Sequence, residues 1–574
     1  MTVPGLSQGI FTALGHRLAA RRAVFAKPAQ GFVSQPEPRT IGDLRRGKQL
    51  VAGSFLMAGH LIEGDDILIW SIPAPDAGFT AATQGFGWLD DLAAVGDAEA
   101  QKRAQDWTWA WIKRFGRGRG PGWTPDLTGR RVIRMINHAL FLLEGRTPAE
   151  SEAFYAVLAA QTRFLARRFG SAPPGMPRFE AITGLIYAGL ALTGMEDSVK
   201  PAIAVLAEQC RTRISADGAL PTRNPEELSE IFSLLIRAAQ ALGEAGMAVP
   251  VEVHDALERI APTLRALRHA DGGLARFHGG DRGLRGQLEA ALVSSGVKVR
   301  PAVALAMGYA RLSGGRTSVI ADAAAPAAGR AGDLVHASTL AFELTSGRRP
   351  VIVSSGSGAP FGRDWQKAGR ATASHSTLTL DNSSSSRLGA GAWGREALVS
   401  RAQVTLCQPQ TFKQSQGVLM AHDGWVQTLG LTHGRELVLS SDGRKLTGQD
   451  ELMALTPKDK ARMKAAVARE GLRGLRYAIR FHLHPEARGK VDPGGNAVSI
   501  LLRSGEIWVF RHDPGPVLTL EASVYMEPGR LQPRTCQQIV LSGKVSAAET
   551  RVDWTLAKAQ DTPLAIRDVE SDDD

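Results

Sequence analysis

The chain has few cysteines and no long apolar run. Its three cysteines, Cys210, Cys407 and Cys536, are spread over 574 residues without a CxxC spacing, which excludes a disulfide framework and a cysteine-rich zinc module. No apolar run reaches the roughly 18 residues that a membrane-spanning helix needs. The basic N-terminal segment GIFTALGHRLAARR is interrupted at Gly15 and His16 before it reaches signal-peptide length. We therefore expect no transmembrane segment and no classical export signal.

The signatures of several common enzyme classes are also missing. The sequence contains no nucleophile elbow, P-loop, dinucleotide-binding glycine fingerprint or HExxH motif. Tyrosine is scarce, with five residues in the whole chain. A reaction that uses a tyrosine as its acid therefore has few candidates here.

The charge is basic but diluted. Lys and Arg number 68 against 57 Asp and Glu, which gives a formal net charge of +11. Such a balance permits nucleic acid, an anionic membrane or an acidic polymer as a partner. The basic residues are spread along the chain, and the densest patch, residues 113–119, is typical of a solvated loop that closes a helix. We therefore expect no nucleic-acid partner.

Two large domains are predicted from the change of hydrophobic period. After a basic segment over 1–43, residues 44–320 show the three- and four-residue spacing of helices, with Asn224 and Pro225 as one clear helix start. The Ala-, Gly- and Pro-rich stretch 321–333 is the predicted linker. Residues 334–556 alternate like antiparallel strands, and 557–574 form an acidic tail. Helices first and strands second indicate two domains that share a cleft.

Two segments of the strand-rich half resemble the β-sandwich of the heparinase II/III family of polysaccharide lyases. They are FELTSGRRPVIVSSGSGAP with GRATASHSTLTLDNSSSS, and LTHGRELVLSSDGRKLTGQDEL. The helical half is similar to that family's toroid through GWTPDLTGRRVIRMINHALFLL and ITGLIYAGLAL. The resemblance covers most of residues 44–556. It implies a multidomain α and β protein, with an N-terminal incomplete α/α toroid followed by an antiparallel β-sandwich.

The activity implied by the resemblance is β-elimination at a uronic acid of an anionic polysaccharide. This reaction requires a neutralised substrate carboxylate, a base and an acid for the leaving oxygen, and it requires no cofactor. A cleft lined with arginine would attract such a polyanion, which gives the basic charge a natural partner.

In the β-domain, His375 is the main catalytic candidate, because the resemblance places this motif at the cleft. Arg370, His433 and Arg435 are candidates for binding the substrate. Some family members hold a structural zinc between β-domain histidines and an acidic residue. His375 and His433 are therefore weak candidates for a metal ligand, and structural zinc stays open.

In the helical domain the chain departs from the family's pattern. Met176 and Pro177 stand where the family's Asn-His pair is expected, and the segment SADGALPTRNPEEL lacks the family's tyrosine. Two substitutes stay open, which are Asn137 and His138 with Tyr187 as the acid, or Arg223 and Asn224 as the carboxylate neutraliser with Glu227 in the proton role. We slightly prefer the second set, because loop residues at a helix N-terminus suit an anion. His278, on a Gly-rich loop, is a further candidate at the rim of the cleft.

These observations favour a bacterial lyase-like protein that cleaves an acidic polysaccharide or oligosaccharide. The alternative is a catalytically altered or inactive glycan-binding protein of the cell envelope that keeps the fold. A hydrolase would need paired carboxylates, for which Glu227 and Asp281 are the suggestive residues. Without an export signal we expect a cytoplasmic protein, and the family suggests the envelope or periplasm as the alternative. The sequence leaves the sugar and the oligomeric state open.

Overall fold

The computed structural model describes residues 4–25, 27–34, 37, 40–64, 66–298, 305–391, 396–545 and 547–561. Helices dominate the N-terminal half, with one short hairpin of Ser54–Met57 (β1) and His60–Glu63 (β2). The helices of this half are Pro4–Ala23 (α1), Leu44–Val51 (α2), Ala77–Gln84 (α3), Gly87–Val95 (α4), Ala98–Phe115 (α5), Pro125–Asn137 (α6), Ala139–Leu143 (α7), Pro148–Arg168 (α8), Met176–Ala191 (α9), Lys200–Arg213 (α10), Pro225–Glu244 (α11), Val251–Leu267 (α12) and Gln287–Ser294 (α13).

Helices α6, α9 and α11 pack side by side in the interior of the helical domain. Two glycines let α6 and α9 approach closely, since a Cβ on Gly129 would lie 2.3 Å from the carbonyl oxygen of Glu180 and one on Gly184 would lie 2.5 Å from Cα of Gly129. Residues near the N-terminus of one helix interact with residues near the N-terminus of the next, as Arg130 does with Glu180. The three helices therefore run in the same direction and bring their N-terminal ends together.

The C-terminal half consists of antiparallel strands with three helices, Arg363–Gly369 (α14), Val426–Leu429 (α15) and Pro457–Glu470 (α16). Its strands are Leu305–Ala306 (β3), Tyr309–Gly314 (β4), Thr317–Asp322 (β5), Phe342–Ser346 (β6), Arg349–Val353 (β7), Leu378–Leu380 (β8), Arg387–Ala390 (β9), Glu396–Ser400 (β10), Val404–Phe412 (β11), Ser415–Trp425 (β12), Leu431–Ser440 (β13), Lys445–Met453 (β14), Arg476–Leu483 (β15), Ala487–Val491 (β16), Ala497–Leu502 (β17), Ile507–His512 (β18), Val517–Tyr525 (β19), Arg534–Lys544 (β20) and Glu549–Gln560 (β21).

Two large sheets form within the described strands. One has the order β11-β12-β13-β14-β21-β18-β17-β16, and the other has the order β19-β20-β15-β7-β6-β5-β4-β3, with β8 paired to β15. Apolar side chains from both sheets form one core, which includes Phe342, Phe481 and Trp554. A smaller hairpin of β9 and β10 stands outside the two sheets.

Local sequence signals explain several of these elements. Asn224 accepts hydrogen bonds from the backbone N–H groups of Glu226 and Glu227, with Pro225 in the first turn, so α11 begins where the sequence predicted a helix start. The Asp-Gly signal also forms the expected hairpin, since β13 and β14 pair across the turn that contains Gly443, whose φ is +70°.

The boundary between the two halves lies earlier than the expected linker at 321–333. Strands β3, β4 and β5 occupy residues 305–322, so the helical run ends with α13 and the β-domain begins before residue 334. Ala323 is buried, and the carbonyl oxygens of Ala324 and Ala325 accept hydrogen bonds from Arg223 of the helical domain. The start of this stretch therefore packs against the helical domain. At the C-terminus, residues 557–560 of the expected acidic tail belong to β21, and 562–574 lie outside the described residues.

No helix in the described part of the chain combines the length and the apolar character needed to cross a membrane.

Candidate functional site

The N-terminal ends of α9 and α11 bring four glutamates together beside the β-domain. We call Glu180, Glu226, Glu227 and Glu230 the acidic mouth. Glu226 and Glu230 are one helical turn apart on α11, and Glu180 on α9 lies close enough to Glu230 for its carboxyl group to sense that charge. Glu230 is exposed, Glu226 and Glu227 are half-buried, and Glu180 is 5 % exposed. The acidic mouth thus ranges from an exposed carboxyl group at Glu230 to a buried one at Glu180.

Loops on both sides of the helices hold two of these side chains. The Thr222 hydroxyl donates to Oε2 of Glu227 at 2.6 Å, and the backbone N–H of Met176 also donates to Glu227. Glu226 accepts from the backbone N–H of Asp281 at 2.8 Å. Asp281 in turn pairs with the buried Arg276 at 3.0 Å. Glu227 is therefore held against the N-terminus of α9, where the family resemblance had led us to expect the Asn-His pair.

Burial raises the pKa of three carboxyl groups in the acidic mouth, those of Glu180, Glu226 and Glu227. It raises the pKa of Glu180 to about 7, although Arg130 opposes the shift. It raises the pKa of Glu226 to about 8, and the charges of Glu230 and Asp281 add to the shift. Burial also raises the pKa of Glu227, although the hydrogen bonds from Thr222 and the Met176 backbone oppose the shift. Glu180 and Glu226 are therefore poised to exchange protons near neutral pH.

The two arginines beside the acidic mouth are already paired. Nε of Arg130 donates to Glu180 at 2.5 Å, and Nε of Arg134 donates to Asp90 at 2.6 Å. Asp90 also contacts His138 at 2.8 Å. Burial favours the neutral form of Asp90, but Arg134 and His138 outweigh it and lower the pKa to about 2. Both arginines beside the acidic mouth therefore already have carboxylate partners.

Asn137 and Tyr187, which the sequence suggested as one possible set, do meet inside the helical domain. The Tyr187 hydroxyl donates to Oδ1 of Asn137 at 2.7 Å, and Arg237 donates to the same oxygen at 3.2 Å. All three residues are buried. They occupy the deeper half of α6, α9 and α11, away from the helix N-termini. Their contacts connect the three helices to each other.

Arg223 and Asn224, the preferred carboxylate neutralisers, have structural contacts. The guanidinium of Arg223 donates to the backbone carbonyls of Met307, Gly308, Ala324 and Ala325, and to Asp322 at 2.6 Å. Burial opposes ionisation of Asp322, but Arg223 and His278 hold its pKa well below its usual value. Oδ1 of Asn224 caps α11. In this arrangement Arg223 joins the two domains and has no donor directed at a ligand.

His375 is 0 % exposed and lies within a chain of buried polar groups. Its Nδ1 is 3.1 Å from the Ser354 hydroxyl, and its Nε2 is 3.2 Å from Nδ1 of His336. The ring of Phe277 stacks beside it at 6.4 Å between centroids. Burial lowers the pKa of His375 to about 3, and the charges of His482 and His278 add to the effect. Both ring nitrogens have protein partners, so His375 meets no groove in this structure.

His278 lies at the domain interface and contacts His336, the neighbour of His375. It adopts a left-handed backbone conformation, with φ of +51°, and is buried rather than at a rim. Its Nδ1 accepts the backbone N–H of His336 at 3.2 Å. Its Nε2 lies 3.4 Å from Asp322. Through this contact and the stacking of Phe277 on His375, the loop that carries His278 packs against the motif that the sequence had pointed to.

His433 and Arg435 belong to a second buried network, on β13. Nε2 of His433 lies 2.7 Å from Asp450, and Nδ1 of His433 lies 3.2 Å from Nε2 of His422. The backbone N–H of Gly424 donates to Nδ1 of His422 at 3.0 Å. Arg435 pairs with both oxygens of Asp450.

This network does not fit a zinc ion. The ring nitrogens of His422 and His433 are used in a series of hydrogen bonds that ends at Asp450, and the guanidinium of Arg435 supplies the positive charge. Across the described residues, no group of three histidine, cysteine or acidic side chains is arranged to hold a metal. His375 is occupied by His336 and Ser354. Arg370, the remaining β-domain candidate, is buried and donates to the carbonyl oxygen of Val335 at 3.0 Å.

Sequence reasoning identified Glu227 but missed Glu180, Glu226 and Glu230. Glu226 was visible only as a residue that favours a helix N-terminus, and no motif singled out Glu180 or Glu230. Their proximity depends on the parallel packing of α9 and α11, which the sequence pattern does not contain. The only local signal was the cluster of acids in the first turns of α11.

Comparison with known proteins gives three findings. Residues 298–555 match the family described as heparinase II/III-like, C-terminal. FtsZ-localized protein C of Caulobacter vibrioides is 30% identical over 551 residues, which cover 92% of this chain and 91% of that protein. Among solved structures, a heparinase III is similar with a TM-score of 0.66 and 13% identity, over 96% of this chain and 91% of the other.

A heparan sulfate lyase of Pedobacter heparinus is also similar, with a TM-score of 0.54 and 14% identity over 95% of this chain and 88% of the other. At such identities the likeness concerns the fold alone. It confirms the expected architecture of an incomplete α/α toroid followed by an antiparallel β-sandwich.

Proposed function

This chain belongs to the heparinase II/III family, and from that premise we propose that it is a bacterial glycan-binding protein that does not carry out β-elimination. The observation that carries the proposal is the burial of His375, whose two ring nitrogens are both occupied by protein groups. A base that removes a proton from a sugar must reach that proton within hydrogen-bond distance.

β-Elimination also requires a neutraliser of the substrate carboxylate and an acid, and the candidates for both roles are bound to protein groups. A neutraliser of the substrate carboxylate needs free donors, whereas Arg223 spends its donors on the domain interface. An acid for the leaving oxygen needs a hydroxyl in the groove, whereas the Tyr187 hydroxyl is bound to Asn137. Binding without elimination requires neither these groups nor a cofactor.

The relative from Caulobacter vibrioides is named for its localisation with FtsZ. By extension we propose that this protein acts on or near the cell envelope during bacterial division, with an envelope glycan as its ligand. The heparinase-like fold supports a glycan as the ligand, and the name of the relative supports a role in cell division.

Ultraviolet spectroscopy separates a binder from a lyase. Incubation with a panel of uronate polymers should produce no rise in absorbance from an unsaturated product, while calorimetry with envelope oligosaccharides should detect binding. His375→Ala should leave that binding within about twofold, because the side chain has no access to a ligand. An absorbance rise that His375→Ala abolishes would establish the lyase and refute the proposal.

A further inference from the structure

The N-terminal helix α1 carries large apolar side chains on the face that points away from the protein. Phe11, Leu14 and Leu18 are 71 %, 51 % and 52 % exposed. Their spacing of three and four residues places them along one side of the helix. Phe25 follows just after the end of α1 and is 91 % exposed. We call these four residues the outer stripe.

The inner face of α1 is built from small residues. Ala19, Ala20 and Ala23 are buried and belong to the hydrophobic core of the helical domain. Nε of Arg168 on α8 donates to Nδ1 of His16 at 3.1 Å, which holds this face of α1 against α8. A helix that serves only the fold buries its large apolar side chains and exposes the small or polar ones. In α1 this order is reversed, which indicates that the outer stripe serves a contact outside the protein.

Positive charge flanks the outer stripe on both sides. Arg17, Arg21 and Arg22 are exposed. At 3.6 residues per turn, Arg17 and Arg21 lie along one border of the stripe and Arg22 lies along the other. Residues 1–36 contain four Lys and Arg and no Asp or Glu. Arginine can lay its apolar stem along such a stripe while its guanidinium reaches outward. The surface therefore fits a partner with an apolar interior and an anionic border.

We infer that α1 docks this protein on an anionic lipid bilayer. The outer stripe would enter the boundary between headgroups and acyl chains, and the arginines would pair with lipid phosphates. The helix would lie in the plane of the surface, as basic amphipathic helices do. The borders of a protein interface carry charges that complement a specific partner and commonly include both signs. Both borders of this stripe are positive, which suits the uniformly negative headgroup layer of an anionic membrane.

The test is co-sedimentation of the full chain with two kinds of vesicle, made of phosphatidylcholine alone or with roughly one third phosphatidylglycerol. We expect at least about tenfold tighter binding to the anionic vesicles at low salt, and weaker binding as salt is raised. The double variant Arg17→Gln with Arg21→Gln should weaken this binding by about tenfold, because it removes two charges near the lipid surface. The double variant Leu14→Ser with Leu18→Ser should weaken it by at least about tenfold, because less apolar surface is buried in the bilayer.

Matched control variants make the same changes elsewhere on the surface. Leu455→Ser with Leu472→Ser replaces two exposed leucines of the β-domain, and Arg488→Gln with Lys490→Gln removes two exposed charges from β16. Both controls should bind the anionic vesicles within about twofold of wild type, because neither touches α1. Circular dichroism would verify that every variant is folded.

Three results would overturn the inference. The first is wild-type protein that stays in solution with the anionic vesicles or binds both kinds of vesicle equally. The second is binding by Leu14→Ser with Leu18→Ser that equals the binding of wild type. The third is self-association in analytical ultracentrifugation that the same leucine substitutions abolish, without binding to vesicles, which would assign the outer stripe to a second copy of the chain.

Discussion

The acidic mouth and the histidine networks of the β-domain use ionisable groups in opposite ways. Around His375 and His433 each ring nitrogen has a protein partner, and Asp450 is held ionised by Arg435 despite its burial. In the acidic mouth, burial instead raises the pKa values of Glu180, Glu226 and Glu227, and Oε2 of Glu180 has no hydrogen-bond partner among the described residues. Ionisable groups that are fully hydrogen-bonded to each other stabilise a fold. Carboxyl groups with raised pKa values and an unpaired oxygen are instead available to a ligand.

Breaking the buried network should have the largest effect on stability. Asp450→Asn removes the charge that Arg435 and His433 share, and it leaves a fully buried guanidinium without its counter-ion. We expect a loss of about 3–5 kcal/mol in the free energy of unfolding, measured by urea denaturation.

Asp553→Asn provides the comparison, because the Arg551–Asp553 pair is largely exposed. That substitution should cost at most about 1 kcal/mol. Equal losses for the two variants would mean that the β13 network does not depend on its buried charge.

Whereas Asp450→Asn should destabilise the protein, Glu180→Gln should raise the free energy of unfolding at high pH relative to wild type. The unfolded glutamate titrates near 4.5 and the folded one near 7. Between these values the folded state holds more protons than the unfolded state, so the wild-type protein loses stability as pH rises and bears the full penalty above the folded pKa. Glutamine carries no such penalty.

From about pH 4 to pH 8, the variant should therefore gain stability relative to wild type by about 1–3 kcal/mol, since one pKa unit corresponds to about 1.4 kcal/mol. Urea denaturation at the two pH values measures the difference, and Glu258→Gln should show none, because Glu258 is an exposed acid on α12. A relative loss of stability on going to pH 8 would indicate that Glu180 is ionised and paired in the folded protein.

The sequence predicted the parts of this molecule that depend on local chemistry. The cap at Asn224 and the turn at Gly443 need only neighbouring residues, and both were found where expected. The motif around His375 identified the β-sandwich correctly, because strand residues and turn spacing are local features as well.

Burial and proximity could not be predicted in the same way. The same polar residues around His375 could form either an exposed site or a fully hydrogen-bonded interior. Which of the two forms depends on the loop of His278, which packs against them. Glu180 and Glu230 come from helices that are separated along the chain and meet only after packing. The alanine-rich stretch after Asp322 indicated a linker, because the sequence does not show that Arg223 packs against it.

The smallest expected effect concerns Asn224, which lies beside the acidic mouth but serves the fold. Its Oδ1 accepts from the backbone N–H groups of Glu226 and Glu227. Asn224→Ala should lower the free energy of unfolding by about 1 kcal/mol, and Asn224→Ser should restore most of it, because serine also caps helices. Denaturation measures both variants. The affinity for the glycan should decrease in Asn224→Ala and recover in Asn224→Ser, because it depends on the helix cap. A serine variant that is stable but no longer binds would place the amide in contact with the ligand.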